Sequence, residues 1–169
     1  MRSVLIRRGL KTMGVLHRVI YRATGGRVGG RAWGLSILLL TTTGRKTGRL
    51  RTTPLCFLPD GANLVVVASN GGLAWFPAWW LNLLQQPRAT VQVGRSRRAV
   101  VARPASSEEW TRLWAEITTI APGYLAYQRR AGREIPLAIL QPEEGGVTAA
   151  SEVASSPTSG GRPAGNASL

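Results

Sequence analysis

Short runs of apolar residues, each ending in polar or turn-forming residues, recur through the middle of the chain. Runs of this length that are rich in Val, Leu and Thr and bounded by Gly, Pro, Asn or Asp are typical of β-strands. The tetrapeptide at 59–62 (PDGA) predicts a hairpin turn between two runs, because Pro presets φ and Gly accepts a positive φ. The predicted strands are residues 35–42, 52–58, 63–69, 90–93, 97–103 and 136–140.

Apolar residues with a helical period mark other segments. Residues 3–22 carry an apolar stripe interleaved with basic residues. This pattern predicts a basic amphipathic helix that either packs on its own domain or rests on a membrane surface. Further helices are predicted over 78–86 after a proline, over 124–130, and after Ser106 and Glu109, which have the spacing of a capping box. The helix after the capping box has an apolar stripe made of Trp110, Leu113, Trp114, Ile117 and Ile120.

This order of elements divides the chain into three parts. Residues 1–30 are predicted to form the basic amphipathic N-terminal helix and a Gly-rich link, and residues 31–142 one β-barrel domain that binds a cofactor. Residues 143–169, dominated by Gly, Ser, Ala, Pro and Thr, are predicted to be a disordered tail. About six strands joined mainly by hairpins predict an α+β fold, a mostly antiparallel β-barrel with the N-terminal helix and further helices packed around it.

Positive charge is the strongest compositional signal. The 169 residues include 22 Lys and Arg against 8 Asp and Glu, a net charge of +14, and 44% of them are hydrophobic, as in globular proteins. The first acid along the chain is Asp60, and the basic residues are concentrated before it. A field of this sign suits a phosphorylated cofactor, a nucleic acid or an anionic lipid surface.

The scarcity of cysteine and histidine excludes several kinds of site. Cys56 and His17 are the single members of their types, so an intrachain disulfide, a cysteine-rich zinc site and a histidine-pair metal site are excluded, and no metal is expected. No apolar run approaches the ~20 residues of a membrane span. Arginines also interrupt the N-terminal stretch that would be apolar in a signal peptide. These features predict a cytoplasmic protein.

The most informative motif is the basic stretch at 41–54 (TTTGRKTGRLRTTP). Gly44 and Gly48 bracket a tight loop between two predicted strands, and four cationic side chains lie in or beside it. Cations, hydroxyls and free backbone amides together are the groups that bind phosphate. A charged hairpin with solvated arginines is the alternative. Neither a dinucleotide-binding G-x-G-x-x-G motif nor a P-loop is present.

Two further stretches combine small polar and aromatic residues. The segment 69–72 (SNGG) ends a predicted strand, and its glycines would let a planar ligand approach the backbone closely. Trp79 and Asn82 are three residues apart and share a helix face, as do Tyr124 and Tyr127. The second pair could wall an aromatic pocket. In both pairs the aromatic rings could instead be core or surface residues.

These motifs together resemble one protein family. The strings LLLTTTGRKTGRLRTTPL, VVVASNGG, PAWWLNL and PGYLAYQRRAGREIPLAIL follow the order and spacing of the deazaflavin-dependent nitroreductase and quinone reductase family. The members of that family are actinobacterial split β-barrel proteins that bind coenzyme F420. The resemblance covers roughly residues 15–142 and implies a split β-barrel that uses reduced F420.

The resemblance also implies roles for individual residues. The basic stretch would hold the phosphodiester and the glutamate tail of F420, the end of the strand at 63–69 would lie beside the deazaflavin ring, and two tyrosines would lie over the acceptor pocket. Ser69 would also be a proton donor. The implied cofactor-binding residues are Arg45, Lys46, Arg51, Ser69, Asn70, Trp79 and Asn82, and the implied catalytic residues are Ser69, Tyr124 and Tyr127.

Two positions depart from the family pattern. Ala121 stands where some nitroimidazole-reducing members carry a tyrosine, and Cys56 stands where a tyrosine can occur. Both changes are expected to enlarge the acceptor pocket or to alter its polarity. They leave cofactor binding intact and leave the choice of acceptor, including nitroimidazoles, open.

The sequence therefore predicts an F420H2-dependent oxidoreductase that passes hydride to a quinone, a nitro compound or a conjugated carbonyl. The alternatives are a split-barrel oxidoreductase that binds FMN and a non-catalytic protein that binds F420 or lipid. The expected partner is a small-molecule electron acceptor, with peripheral membrane contact through the N-terminus as a further hypothesis. Nucleic acid is not expected, because the tryptophans lie in apolar stripes and offer no stacking platform among the basic residues.

Overall fold

The computed structural model describes residues 31–143. The predicted helix at 3–22, the Gly-rich link and the predicted tail beyond Glu143 lie outside the described residues. The described elements are β1 (Arg31–Ala32), β2 (Leu35–Thr43), β3 (Leu50–Asp60), β4 (Asn63–Val67), a 3₁₀ turn (Asn70–Gly72), α1 (Ala78–Gln85), β5 (Arg88–Val93), β6 (Ser96–Pro104), α2 (Ser107–Ile120), α3 (Gly123–Ala131) and β7 (Leu137–Pro142).

Six of these strands form a closed antiparallel barrel. The strands are hydrogen-bonded in the order β2-β3-β4-β7-β6-β5, and β5 pairs back onto β2, for example through Leu40 and Val91. The two-residue strand β1 extends β2 as a short hairpin. Closure leaves none of the six strands as an open edge, which removes a site of edge-to-edge aggregation. The prediction of an α+β, mostly antiparallel barrel of about six strands with packed helices is confirmed.

The strand β3 is longer than predicted and includes Pro54 and Pro59. Pro54 pairs only with Leu39 of β2, whereas Pro59 pairs only with Leu64 of β4. Each proline therefore has a strand neighbour on one side, and its missing N–H does not interrupt a central ladder. The hairpin turn predicted at 59–62 is accordingly shorter than expected: β3 continues through Asp60, and only residues 61–62 form the turn.

The core has two main parts, one inside the barrel and one outside it. Inside, side chains such as Leu38, Leu40 and Val66 pack against Trp79 and Trp80 of α1, which closes one end of the barrel. Outside, α2 and α3 cover the sheet formed by β4 and β7, with their apolar residues packed against it. The outer cluster contains Leu113, Trp114, Ile117, Ala121, Tyr124, Ile135, Leu137 and Ile139.

The predicted capping box at the start of α2 is present. The Ser106 hydroxyl accepts a hydrogen bond from the Glu109 amide at 3.2 Å, and the Glu109 carboxylate accepts one from the Ser106 amide at 2.9 Å. Arg103 of β6 also donates two hydrogen bonds of 2.7 Å to that carboxylate. The Arg103 guanidinium and the Ser106 amide lower the pKa of Glu109 from 4.5 to about 2.

We expect Glu109 to make the fold more stable above pH 4.5 than below it. Because its pKa is lowered in the folded state, the carboxylate stabilises the fold above its unfolded pKa of 4.5, and this contribution is lost as the pH falls towards about 2. The check is urea unfolding of the native chain and of Glu109→Gln at pH 7 and at pH 3. The stability difference between the two proteins should shrink at pH 3, and an unchanged difference would contradict the assignment.

A membrane-spanning element is not found among residues 31–143: no helix in this range has the length and apolar character needed to cross a bilayer.

Candidate functional site

The basic stretch forms a tight cationic turn between β2 and β3, here defined as residues 44–51. The Gly44 amide donates to the Arg49 carbonyl at 2.9 Å, and the Gly48 amide donates to the Gly44 carbonyl at 2.7 Å. A Cβ at Gly44 would stand 3.0 Å from the Arg49 carbonyl oxygen, and Gly48 has a φ of +65°. Glycine is therefore favoured at Gly44 by the close backbone and at Gly48 by the positive φ.

Asn82 of α1 fixes the cationic turn to the barrel. Its Oδ1 accepts from the Arg45 amide at 3.1 Å, and its Nδ2 donates to the Thr42 hydroxyl at 3.0 Å. The Asn82 side chain is 4% exposed; its bond to Thr42 is buried, and its bond to the Arg45 amide is partly buried. Asn82 thus sets the position of the turn from beneath, and the side chain of Arg45 extends from an anchored backbone.

The cations of the turn are available to an external anion. Arg45, Lys46, Arg49 and Arg51 are exposed, and none of them forms an ion pair with any residue in the range 31–143. Three of the six acidic residues in this range are instead paired with other arginines, as Arg88–Glu143, Arg103–Glu109 and Arg112–Asp60. The charge of the turn is therefore not neutralised by the described part of the protein.

A cleft of about 550 Å³ opens beside the turn. This volume lies in the range of small-molecule sites, roughly 300–1,000 Å³. Its walls come from β3, from the end of β4 and the following 3₁₀ turn, from the start of α1 and from α3. The lining residues are Thr53, Leu55, Val67, Ser69, Asn70, Gly71, Leu73, Pro77, Trp79 and Arg130.

Two elements connect the cleft with the cationic turn. Arg51, Thr53 and Leu55 alternate along β3 and share one face, with successive members roughly 7 Å apart. The first belongs to the turn and the other two line the cleft. On α1, Trp79 lines the cleft and Asn82, one helical turn later, holds the turn. The turn and the cleft are thus adjacent parts of one surface.

The 3₁₀ segment that follows β4 shapes one wall of the cleft. Asn70, Gly71 and Gly72 have φ values of 48°, 65° and 77°, and the Asn70 side chain donates to the Trp75 carbonyl at 3.0 Å. Three successive positive φ values turn the chain sharply, so that Ser69, 8% exposed, ends at the cleft surface. Glycine at 71 and 72 is the sequence feature that permits this turn.

Two arginines near the end of α3 hold the same wall, and sequence reasoning did not assign them. Arg130 donates to the Gly71 carbonyl and lines the cleft. Arg133 donates to the Ala74 carbonyl at 3.1 Å, and its guanidinium lies 4.1 Å from the centre of the Phe76 ring. These pairs are about 60 residues apart along the chain, so no local pattern could have indicated them.

The two tyrosines of α3 lie away from the lining of the cleft. Tyr124 is 5% exposed within the outer core, and Tyr127 lines a second cavity of about 460 Å³ together with Trp33 and Ala121. The structure therefore brings Ser69, Asn70 and Trp79 together in the cleft, and Arg45, Lys46, Arg51 and Asn82 at the turn. Tyr124 and Tyr127 are not among the residues that line the cleft.

Tyr124, which is 5% exposed, and the partly buried Cys56 are neighbours. Burial raises the pKa of Tyr124, and the neighbouring Cys56 thiol raises it further. Burial also raises the pKa of Cys56, while the neighbouring Tyr124 hydroxyl opposes that rise. Both groups are consequently protonated at neutral pH, so Tyr124 is a hydrogen-bond donor rather than a base.

The described residues offer no metal site. No group of three or more His, Cys, Asp or Glu side chains lies close enough to hold an ion within residues 31–143. The polar chemistry of the cleft is therefore that of hydroxyl, amide and guanidinium groups.

Comparison with known proteins identifies the family. Residues 15–142 match the sequence profile of the F420H(2)-dependent quinone reductase family. An F420H(2)-dependent quinone reductase of Mycobacterium tuberculosis is 41% identical over 129 residues, which cover 74% of this chain and 87% of the relative.

Solved structures agree with this result. An F420-H2 dependent reductase superposes with a TM-score of 0.57 at 34% identity, covering 62% of this chain and 93% of that chain. A protein described as a domain-swapped dimer superposes with a TM-score of 0.60 at 28% identity, covering 83% of this chain and 100% of that chain. The chain thus has the split-barrel fold and belongs to the F420H(2)-dependent quinone reductase family, whose cofactor is coenzyme F420.

Proposed function

We propose that this chain transfers hydride from reduced coenzyme F420 to a quinone, with the coenzyme held across the cleft and the cationic turn. The observation that carries the proposal is that the cleft and the cationic turn are adjacent parts of one surface. A cleft with apolar walls lies next to exposed cations that have no acidic partner among residues 31–143. A ligand that is planar at one end and polyanionic at the other matches this surface.

The residues present fit coenzyme F420. Its phosphodiester and glutamate tail are anionic, and Arg45, Lys46 and Arg51 supply charge and guanidinium donors at the turn. Its ring system is flat and can stack on the apolar part of the cleft formed by Leu55 and Trp79. We assign Arg45, Lys46 and Arg51 to the anionic tail, and Ser69, Asn70 and Trp79 to the ring. We propose that Asn82 does not contact the coenzyme and that it positions the cationic turn through its hydrogen bond with the Arg45 amide.

The chemistry divides between the coenzyme and the protein. When bound, the reduced deazaflavin supplies the hydride. The chain holds the reacting groups in contact, excludes water with the apolar walls of the cleft, and supplies hydrogen bonds to the oxygen that becomes negative. The Ser69 hydroxyl lies at the cleft surface and is our candidate for delivering a proton to the acceptor.

The position of the acceptor is a finer proposal. We propose that the acceptor lies in the cleft beside the ring, on the side of Arg130, whose guanidinium lies over Tyr127. Tyr127 and Ala121 also line the second cavity, where the absence of a tyrosine side chain at 121 leaves space. Tyr124 contacts the Tyr127 ring edge-to-face with 5.8 Å between centroids, and we propose that it orients Tyr127. The catalytic roles of Ser69, Tyr124 and Tyr127, and the use of nitro or conjugated carbonyl acceptors, stay predictions.

The test is a titration and a turnover assay with the purified full chain. We expect reduced F420 to bind and to be oxidised when menadione is added, and FMN to compete poorly for the same site. Absence of F420 binding would reject the proposal. Binding without oxidation by menadione or by nitro or enone acceptors would favour a non-catalytic binding protein, and preferential FMN binding would favour an FMN enzyme.

Peripheral membrane contact is proposed through the basic amphipathic segment at 3–22, which lies outside the described residues. Its support is the sequence pattern and the apolar nature of quinones with long side chains. In a flotation assay, we expect the full chain to float with vesicles that contain anionic lipid and to remain unbound when the vesicles are zwitterionic. Equal behaviour with both vesicle types would contradict this proposal, and with it the localisation at the cytoplasmic face of a membrane.

A further inference from the structure

Arg130 carries charge into the cleft. Among the described residues that line the cleft, it is the one with an ionised side chain; the others are apolar, amide, hydroxyl or glycine positions. It lies in the last turn of α3, beyond the residues that the family resemblance implied for the site. Its bond to Gly71 explains how it holds the cleft wall but not why a charged side chain lines the cleft.

The guanidinium of Arg130 is held in place from two sides. It donates a hydrogen bond to the Gly71 carbonyl, and its central carbon lies 5.2 Å from the centre of the Tyr127 ring. Gly72 makes room for it, since a Cβ there would be 2.8 Å from the Arg130 Nε. Stacking on an aromatic ring and a bond to a fixed carbonyl orient a side chain that would otherwise be mobile.

The donors of Arg130 are not consumed by these contacts. A guanidinium has five N–H groups. Within residues 31–143, Arg130 makes the bond to Gly71 and no ion pair. The nearest acid in sequence, Glu134, forms no ion pair in this range either. Oriented donors with a full positive charge therefore remain for an occupant of the cleft.

Quinone reduction creates an anion that such a group would stabilise. Hydride transfer breaks a C–H bond of the reduced coenzyme and forms an O–H bond on the quinone, whose second oxygen becomes negative. That oxygen then takes a proton, passed from water through the Ser69 hydroxyl, to give the quinol, and the coenzyme's N–H proton is released to water. Two electrons and two hydrogens are thus transferred in total. A positioned cationic donor lowers the energy of the charged stage.

We propose that Arg130 donates hydrogen bonds to the quinone oxygen that becomes negatively charged, and that it thereby favours anionic over neutral quinone-like occupants of the cleft. The inference rests on the proposed function, because it names the residue that recognises the acceptor. It assigns to Arg130 direct contact with the reacting molecule, in addition to its contact with Gly71.

The experiment compares three variants of the full chain: Arg130→Gln, Arg130→Lys and Arg129→Gln. Arg129 is the neighbouring exposed arginine of α3 and does not line the cleft, so its replacement removes the same charge from the same helix. Two probes are titrated into each protein by tryptophan fluorescence, with and without oxidised F420. One is 2-hydroxy-1,4-naphthoquinone, an anion at neutral pH, and the other is menadione, a neutral quinone of similar size.

We expect Arg130→Gln to weaken binding of the anionic probe by about tenfold or more, with little change for menadione, because a charge-assisted hydrogen bond is lost. Arg130→Lys should restore part of the loss, and Arg129→Gln should behave like the native chain. In turnover with menadione, Arg130→Gln should lower kcat by about tenfold to a hundredfold and change KM little. Thermal unfolding of each variant shows whether the fold is intact.

Equal loss of both probes, or no difference between Arg130→Gln and Arg129→Gln, would overturn the inference and leave Arg130 as a structural contact of α3. The titration of the anionic probe does not depend on turnover. Failure of the native chain to oxidise reduced F420 would therefore count against the proposed function alone, while the selectivity of the two probes would still decide the role of Arg130.

Discussion

Replacing Arg45 and Lys46 together by glutamine should weaken the binding of coenzyme F420 by about a hundredfold. The two side chains are exposed and make no ion pair within residues 31–143, so their removal leaves no buried charge unpaired. Each contributes a charge-assisted contact to an anionic tail, worth about 1–1.5 kcal/mol at an exposed site, and together these correspond to about two powers of ten in Kd. The fold should be unaffected.

The matched control for this variant lies at the other end of the barrel. Arg95 and Arg97 are exposed residues of the β5–β6 hairpin. Because β2 and β5 are antiparallel, with Thr41 opposite Thr90 and Leu39 opposite Gln92, that hairpin lies away from the end of β2 that leads into the cationic turn. Arg95→Gln with Arg97→Gln therefore removes the same net charge from a remote position.

Equilibrium titration of oxidised F420 at several salt concentrations separates local contact from general attraction. The native chain should lose affinity as salt rises, the remote variant should follow the same curve closely, and the Arg45→Gln/Lys46→Gln variant should bind weakly with a reduced salt dependence. Equal weakening by the two double variants would mean that net charge, rather than the turn, attracts the coenzyme. The assignment of the turn to the anionic tail would then be wrong.

Local patterns in the sequence account for most of the fold. Short apolar runs and turn residues located the six barrel strands, and the Ser106 and Glu109 pair located the start of α2, because these signals act over a few residues. Two short elements were not predicted. The hairpin of β1 and β2 contains Trp33 at a φ of 52°, which a non-glycine residue rarely adopts. The 3₁₀ turn after β4 was predicted only as a strand end with two glycines.

The same distinction applies to the site. The cationic turn and the Trp79–Asn82 face could be predicted, since each lies within one loop or one helical turn. The buried position of Asn82 could not, because it depends on Thr42, 40 residues away. Arg130 was not predicted, because its partner Gly71 is 59 residues away. Basic residues are also common near the C-terminal end of a helix, where they interact favourably with the helix dipole.

Substitution of Gly72 by alanine should destabilise the fold by about 3 kcal/mol, and Gly71→Ala by about 1 kcal/mol. Both glycines have positive φ, 77° and 65°, and a side chain at such a φ costs about 1–2 kcal/mol. They differ in the space around them. A Cβ at 72 would lie 3.0 Å from the Tyr127 Cα, whereas nothing lies within 4 Å of a Cβ at 71. Gly72→Ala therefore adds an overpacking cost of about 1–3 kcal/mol.

This pair of variants separates backbone strain from the close packing of α3 on the cleft wall. Urea unfolding measures the stability of each, and F420 titration measures the cleft. Gly72→Ala should also weaken coenzyme binding, because a methyl group there displaces the Arg130 guanidinium and the wall that holds Ser69 and Asn70. Gly71→Ala should bind nearly as the native chain does. Equal stability of the two variants would show that α3 can move away at no cost, and the contact of Gly72 with Tyr127 would not then be what holds that wall of the cleft.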